Sequence, residues 1–172
     1  MNADELRAIQ APIKQLYRDN PQAARVPARA EGTLDPDNIA IKVDAWHGKV
    51  TAGLHKAGGG SGELACSADM LLEALVGCAG VTLRAVATAM GVTIRGGTVI
   101  AEGFWDARGT LGVDRAAPVG LTDITVTFDV DCDADTAKLE RMIQTTERYC
   151  VILQTLRAPP KVAMAVAQGH PG

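Results

Sequence analysis

Aromatic side chains are scarce in this chain: two Trp, two Tyr and two Phe make up 3% of 172 residues. A core so poor in rings must be filled by Ala, Val, Leu and Ile, and base-stacking platforms for single-stranded nucleic acid are hard to build from it. Surplus positive charge is missing too, since 17 Lys and Arg face 20 Asp and Glu for a net charge of −3. Phosphate-driven binding needs a basic face, so no nucleic-acid partner is expected. There is no long apolar run free of charge. The most apolar stretch, about residues 68–90, carries Asp69, Glu73 and Arg84 and is rich in Ala and Gly. Such a segment has poor membrane affinity and reads as a buried helix, with no membrane partner. The opening "MNADELRAIQAPIKQLYRDN" lacks the basic start, apolar middle and small-residue cleavage site of an export signal. The four cysteines, Cys66, Cys78, Cys132 and Cys150, stand far apart. No disulfide framework is expected, and the compartment read from these features is the reducing cytoplasm.

What is present is the balance of a soluble globular protein, 47% apolar and 22% charged, in a length that suits one well-buried domain with an added end. Leu6, Ile9, Ile13, Leu16 and Tyr17 recur at helical spacing, predicting an amphipathic helix over residues 3–18 that Pro12 would kink or interrupt. Residues 1–24 are read as this N-terminal helical extension and 25–172 as the main domain. Partial alternation predicts an antiparallel strand meander over 28–34, 39–45 and 49–54, split by "DPDN" and "HG". "HKAGGGSGELACS" then reads as a flexible loop, with Ser67 as N-cap and Asp69 in the positive first turn of a helix ending near Gly91. Longer strands are expected in residues 92–109 and 121–133. A second helical region follows, capped by Asp133 or Asp135, in which Leu139, Met142, Ile143 and Thr146 share a face. "KVAMAVAQ" can close as a final strand. Strands and helices do not alternate regularly, so the fold class is α+β.

Several motifs have more ordinary readings. Gly60, Gly62 and Ala65 fit the spacing of a dinucleotide fingerprint, but the acid expected about 20 residues on is absent from "LRAVATAM". A hinge is the better reading of the loop. His47, His55, Cys66 and Cys78 are suitable ligand types for zinc, yet no two have the close spacing of a structural site. No serine elbow supports hydrolysis.

The cysteines carry more. On a helical wheel Leu71, Ala74, Leu75, Cys78, Val81, Thr82, Ala85 and Ala89 lie on one side, so Cys78 points into packing. Gly77, Ala79 and Gly80 beside it leave room for a narrow pocket around the sulfur. An inert core thiol is the ordinary reading of this stretch. Cys150 follows "TERY" at a kink or helix junction, with Glu147 one turn before it and Arg148 close by. A thiol near a helix N-terminus or a guanidinium is shifted toward thiolate, the form that attacks a peroxide. A sulfenic acid on one cysteine can condense with the other to a disulfide. Spacing alone does not bring the two together.

"GGGSGELACSADMLLEALVGCAGVTL" and "ERYCVILQTL" resemble the glycine loop with central-helix cysteine, and the second-cysteine helix, of the OsmC/Ohr superfamily of thiol-dependent hydroperoxide-reducing proteins. The resemblance covers roughly residues 28–167. It implies an α+β fold with antiparallel strands around a long central helix, an intertwined homodimer, and active sites at the subunit interface. It also implies Cys78 as the peroxide-attacking cysteine and Cys150 as its disulfide partner. Organic hydroperoxides would be the substrates, an unidentified dithiol the reductant, and no metal, haem or other cofactor would be needed. A pocket of Leu71, Leu75 and Val81 would suit an alkyl or fatty hydroperoxide. Val151 stands where the family often has proline, and the hairpin "TLDPDN" lacks the activating arginine of better-characterised branches. Arg29 is the first substitute, Arg25 the second, and Arg148 a further cation. Asp69 occupies the helix-start stretch that elsewhere holds the arginine's glutamate, although nine residues place it opposite Cys78, and Glu147 completes the candidate set. Cys66 is an alternative resolving thiol and Cys132 a structural one. The rival reading is a non-catalytic ligand-binding or stress-associated dimer with inert thiols; zinc binding is third.

Overall fold

The computed structural model describes residues 1–45 and 48–167. His47 and Gln168, which entered the expectations for zinc and for the last strand, lie outside them.

Helix α1, Ala3–Asp19, opens with a capping box: the Asn2 side chain accepts from the Asp4 and Glu5 N–H groups, and Glu5 returns a bond to the Asn2 N–H. This accounts for donors that a helix start leaves orphaned. The helix runs through Pro12 without interruption, contrary to expectation, losing only the one bond that a proline nitrogen cannot donate. None of its residues is buried. Strands β1 (Glu31–Leu34), β2 (Ala40–Ala45) and β3 (Gly48–Gly53) form an antiparallel sheet in that order. The first strand is shorter than its sequence suggests. This sheet makes no extensive contact with any other element. It is joined to the chain that follows by Gly53 N–H to the Ala65 carbonyl at 3.0 Å and Ala65 N–H to the Thr51 carbonyl at 3.1 Å.

The glycine loop between them folds back on itself rather than running free. Gly60 N–H donates to the His55 carbonyl at 3.0 Å, and a Cβ at Gly60 would lie 1.7 Å from the Leu54 carbonyl oxygen. Only glycine fits that approach. Helix α2 spans Ser67–Ala89. Its N-cap is Cys66, without a side-chain cap bond, so Ser67 is the first helical residue and not the expected cap. By length and composition α2 could cross a membrane. In this fold its apolar side packs on later elements of the chain.

Those elements are the long antiparallel pair β4 (Ile94–Phe104) and β5 (Thr122–Cys132), the short helix α3 (Ala107–Thr110), and helices α4 (Thr136–Tyr149) and α5 (Val151–Arg157). Strict alternation along β5 turns Ile124, Val126, Phe128 and Val130 inward. Asp135 caps α4 by accepting from the Lys138 N–H at 2.7 Å. One core cluster gathers Leu83, Val86, Ala87, Val92 and Met142 between α2 and α4; a second gathers Leu75, Ala79 and Cys150. The expected final strand does not form: residues 161–167 have no regular structure, and Val162, Met164 and Val166 are exposed. A strand needs a ladder partner, and no strand of the described chain lies beside this segment.

Met142 has no exposed surface and sits where α2, α4 and β5 meet. Met142→Ala is expected to destabilise the fold by about 2–5 kcal/mol, read as a lower urea midpoint with an unchanged slope.

Candidate functional site

Cys78 lies midway along α2, and α2 carries it to the α5 side of the molecule, against the cluster of Leu75, Ala79 and Cys150. Cys150 is fully buried there. It is at once the C-cap of α4 and the N-cap of α5, with φ −73° and ψ 108°. That single extended residue breaks the helical run and turns the free N–H groups of the first α5 turn toward α2. The first N–H groups of a helix have no intrahelical acceptor and carry partial positive charge. Cys78 provides one.

The two thiols differ as a result. Burial pushes the Cys78 thiol up, but hydrogen bonding from the Ile152 N–H, the Cys150 thiol, the Val151 N–H and the Thr82 hydroxyl outweighs it and holds Cys78 below the ordinary thiol range. Thr82 Oγ1 also lies 2.7 Å from the Cys78 carbonyl, one turn back, and its single proton serves one acceptor at a time. Cys150 moves the other way. Burial raises it and the adjoining Cys78 sulfur adds to the rise, against partial relief from the Leu153 and Ile152 N–H groups. The surroundings therefore favour the charged form at Cys78 more than at Cys150. All four cysteines are reduced in this structure.

Beside Cys150 a cavity of about 370 Å³ is walled by Ile124, Val126, Phe128, Leu153 and Leu156, with Glu147 and Arg157 among its polar residues. Arg157 pairs with the Glu147 carboxylate. Among the described residues it is the one cation lining that cavity, and sequence reading missed it, because only the α4–α5 junction brings two residues ten apart onto one another. A second cavity of about 370 Å³ lies by the start of α2, where Leu71 and Cys66 meet His55 and Trp105, whose rings stand edge to face at 5.4 Å. Leu121 borders both cavities.

The remaining candidates fall elsewhere. Leu75 is buried against the cysteine pair, Leu71 belongs to the second cavity, and Val81 is 73% exposed on the open side of α2, so the three do not make one pocket within the chain. Arg29 is exposed and pairs with Glu31 at 2.6 Å. Arg148 lies over the Tyr149 ring at 5.6 Å. Asp69 is exposed and lines a shallow depression with Glu73 and Gly77, away from Cys78. Cys132 packs at the edge of the first core cluster. Among the described residues no three His, Cys, Asp or Glu gather as a metal site.

A long helix whose central cysteine meets a second cysteine at a helix junction, backed by a long antiparallel strand pair, defines a class of small α+β thiol proteins. The OsmC-like protein family model matches residues 60–165, and the chain belongs to that family. An OsmC-like protein from Mycoplasma pneumoniae superposes with a TM-score of 0.64 at 16% identity, covering 78% of this chain and 89% of that one. An OsmC-like protein of unknown function from Vibrio cholerae gives 0.62 at 13%, covering 76% and 94%. An organic hydroperoxide resistance protein from Elizabethkingia anophelis gives 0.58 at 14%, covering 78% and 91%. No curated protein sequence matches the chain.

Only the thiolate alkylates, so a lowered value moves the reactive form to lower pH and a raised one to higher pH. Iodoacetamide labelling of the folded protein followed by peptide mapping is expected to modify Cys78 with a pH midpoint below that of a free thiol. Cys150 is expected to label more slowly at every neutral pH, both from burial and from its raised value.

Proposed function

We propose that this protein is a cytoplasmic thiol peroxidase that reduces organic hydroperoxides in a stress-related role. The observation that carries the reading is the packing of Cys78 against the buried Cys150 at the start of α5, whose amides lower the Cys78 thiol. The Cys78 thiolate attacks the distal peroxide oxygen, the O–O bond breaks, and the alkoxide leaves and takes up a proton as the alcohol. Cys78 is now a sulfenic acid. The Cys150 thiol condenses with it, forming the disulfide and releasing water. A dithiol reductant returns both cysteines to thiols and is itself oxidised to a disulfide, so one hydroperoxide consumes one dithiol. The apolar cavity walled by Leu121, Ile124, Val126, Phe128, Leu153 and Leu156 suits the organic part of the substrate, in place of Leu71, Leu75 and Val81 taken together.

A homodimer is part of the proposal. What supports it is a three-stranded sheet without extensive contacts to the rest of its chain, and apolar residues such as Leu34, Val81 and Phe104 left exposed. Patches of this kind mark association surfaces. In support, a similarly folded protein is an organic hydroperoxide resistance protein. The second reading, a ligand-binding dimer with inert thiols, is favoured by one observation: Arg29 is already paired with Glu31, and no arginine is among the groups acting on the Cys78 sulfur.

With cumene hydroperoxide and a dithiol, Cys78→Ser is expected to abolish turnover. Cys150→Ser is expected to leave the first attack intact, so that one equivalent of peroxide gives a sulfenic acid at Cys78 that dimedone traps. Full peroxide consumption by Cys78→Ser would overturn the reading, and four thiols left free after one equivalent of peroxide would favour the binding protein.

A further inference from the structure

The junction between α4 and α5 contains neither proline nor glycine, yet it sets where Cys150 and the first α5 amides lie. Cys150 is shared by both helices: its N–H donates to the Thr146 carbonyl at 2.9 Å, and its carbonyl accepts the Gln154 N–H at 2.9 Å. Nothing covalent prevents a hinge at a single ordinary residue. Two side chains of α5 span the break instead. Gln154 Nε2 donates to the Glu147 carbonyl at 2.7 Å, one of the carbonyls that the end of α4 leaves without a helical partner. Arg157 pairs with the Glu147 carboxylate. Gln154 and Arg157 are three residues apart and so share one face of α5, and both reach the same residue of α4. Glu147 is held by its backbone and its side chain together.

We propose that Gln154 and Arg157, anchored on Glu147, are positioning residues for the thiol pair: they fix the α4–α5 angle that seats Cys150 and the Val151 and Ile152 amides against Cys78. The same brace forms an edge of the cavity beside Cys150, where Glu147 and Arg157 both appear. The inference rests on the proposed peroxidase reading only for the reaction the pair performs, not for the pair's geometry. Exposed ion pairs and single hydrogen bonds add little to global stability, so loosening the brace should alter the pair while the fold survives.

The test compares the full-length protein with Gln154→Ala, Arg157→Gln, the double variant, and the charge swap Glu147→Arg/Arg157→Glu. Two readouts do not depend on peroxidase activity: the pH profile of Cys78 alkylation, and the Cys78–Cys150 dithiol–disulfide equilibrium in glutathione buffers. The double variant is expected to keep a near-parental melting temperature, to alkylate Cys78 at higher pH, and to favour the disulfide about tenfold less, tenfold being about 1.4 kcal/mol. Gln154→Ala alone should fall between, and the charge swap should recover most of the loss seen in Arg157→Gln. Parental values in the double variant would overturn the proposal. A charge swap no better than Arg157→Gln would also overturn it, since Arg157 would then act through its charge and not as half of a brace. If the parent protein ignores cumene hydroperoxide while these shifts appear, the peroxidase reading fails and the brace stands.

Discussion

The contact on which the site depends is the meeting of one helix start with one sulfur. At Cys150 the chain leaves helical geometry for a single residue, and the amides of Val151 and Ile152 lose their intrahelical acceptors and find Cys78. The rest of the fold holds that meeting in place. Leu75 and Ala79, on either side of Cys78 along α2, are buried against Cys150, and β4 and β5 close the far side with Val99, Ile124 and Val126. Burial works against the charge on Cys78, and amide donors restore it. The outcome is an asymmetric pair rather than two equivalent thiols, and asymmetry is what a nucleophile and its resolving partner require.

The molecule has two regions of different character. Helices α2, α4 and α5 with strands β4 and β5 enclose both core clusters. Helix α1 and the three-stranded sheet contain one buried residue, Ala52, and otherwise present half-buried or exposed side chains. The matched family region begins at Gly60, after that sheet. The matched region therefore takes in the thiol-bearing helices and the long strand pair behind them.

Much of the fold was legible because the patterns were local. The alternation of Ile124, Val126, Phe128 and Val130 forecast β5, Asp133 or Asp135 marked the start of α4, where the structure uses Asp135, and the apolar run after Cys66 forecast α2. Failures came where a non-local condition ruled. "KVAMAVAQ" has strand-like composition, but its described residues, 161–167, pair with no strand. Pro12 was given too much weight, since the capped and otherwise favourable helix tolerates one missing bond. Leu71, Leu75 and Val81 share a side of α2 on a wheel, but a helix packed on several elements divides one face among different neighbours.

By itself the sequence determined the α+β class, the order of the main elements up to α5 apart from the short α3, and the two cysteines worth attention, because spacing, capping and a family resemblance are all written along the chain. Only the tertiary structure decided that Cys78 packs against Cys150, that the α5 amides lower the Cys78 thiol, and that Arg157 and Gln154 close on Glu147. The reason is physical: a thiol's acidity and a helix junction's angle are set by groups brought together across the fold, and their separation along the chain does not encode that meeting.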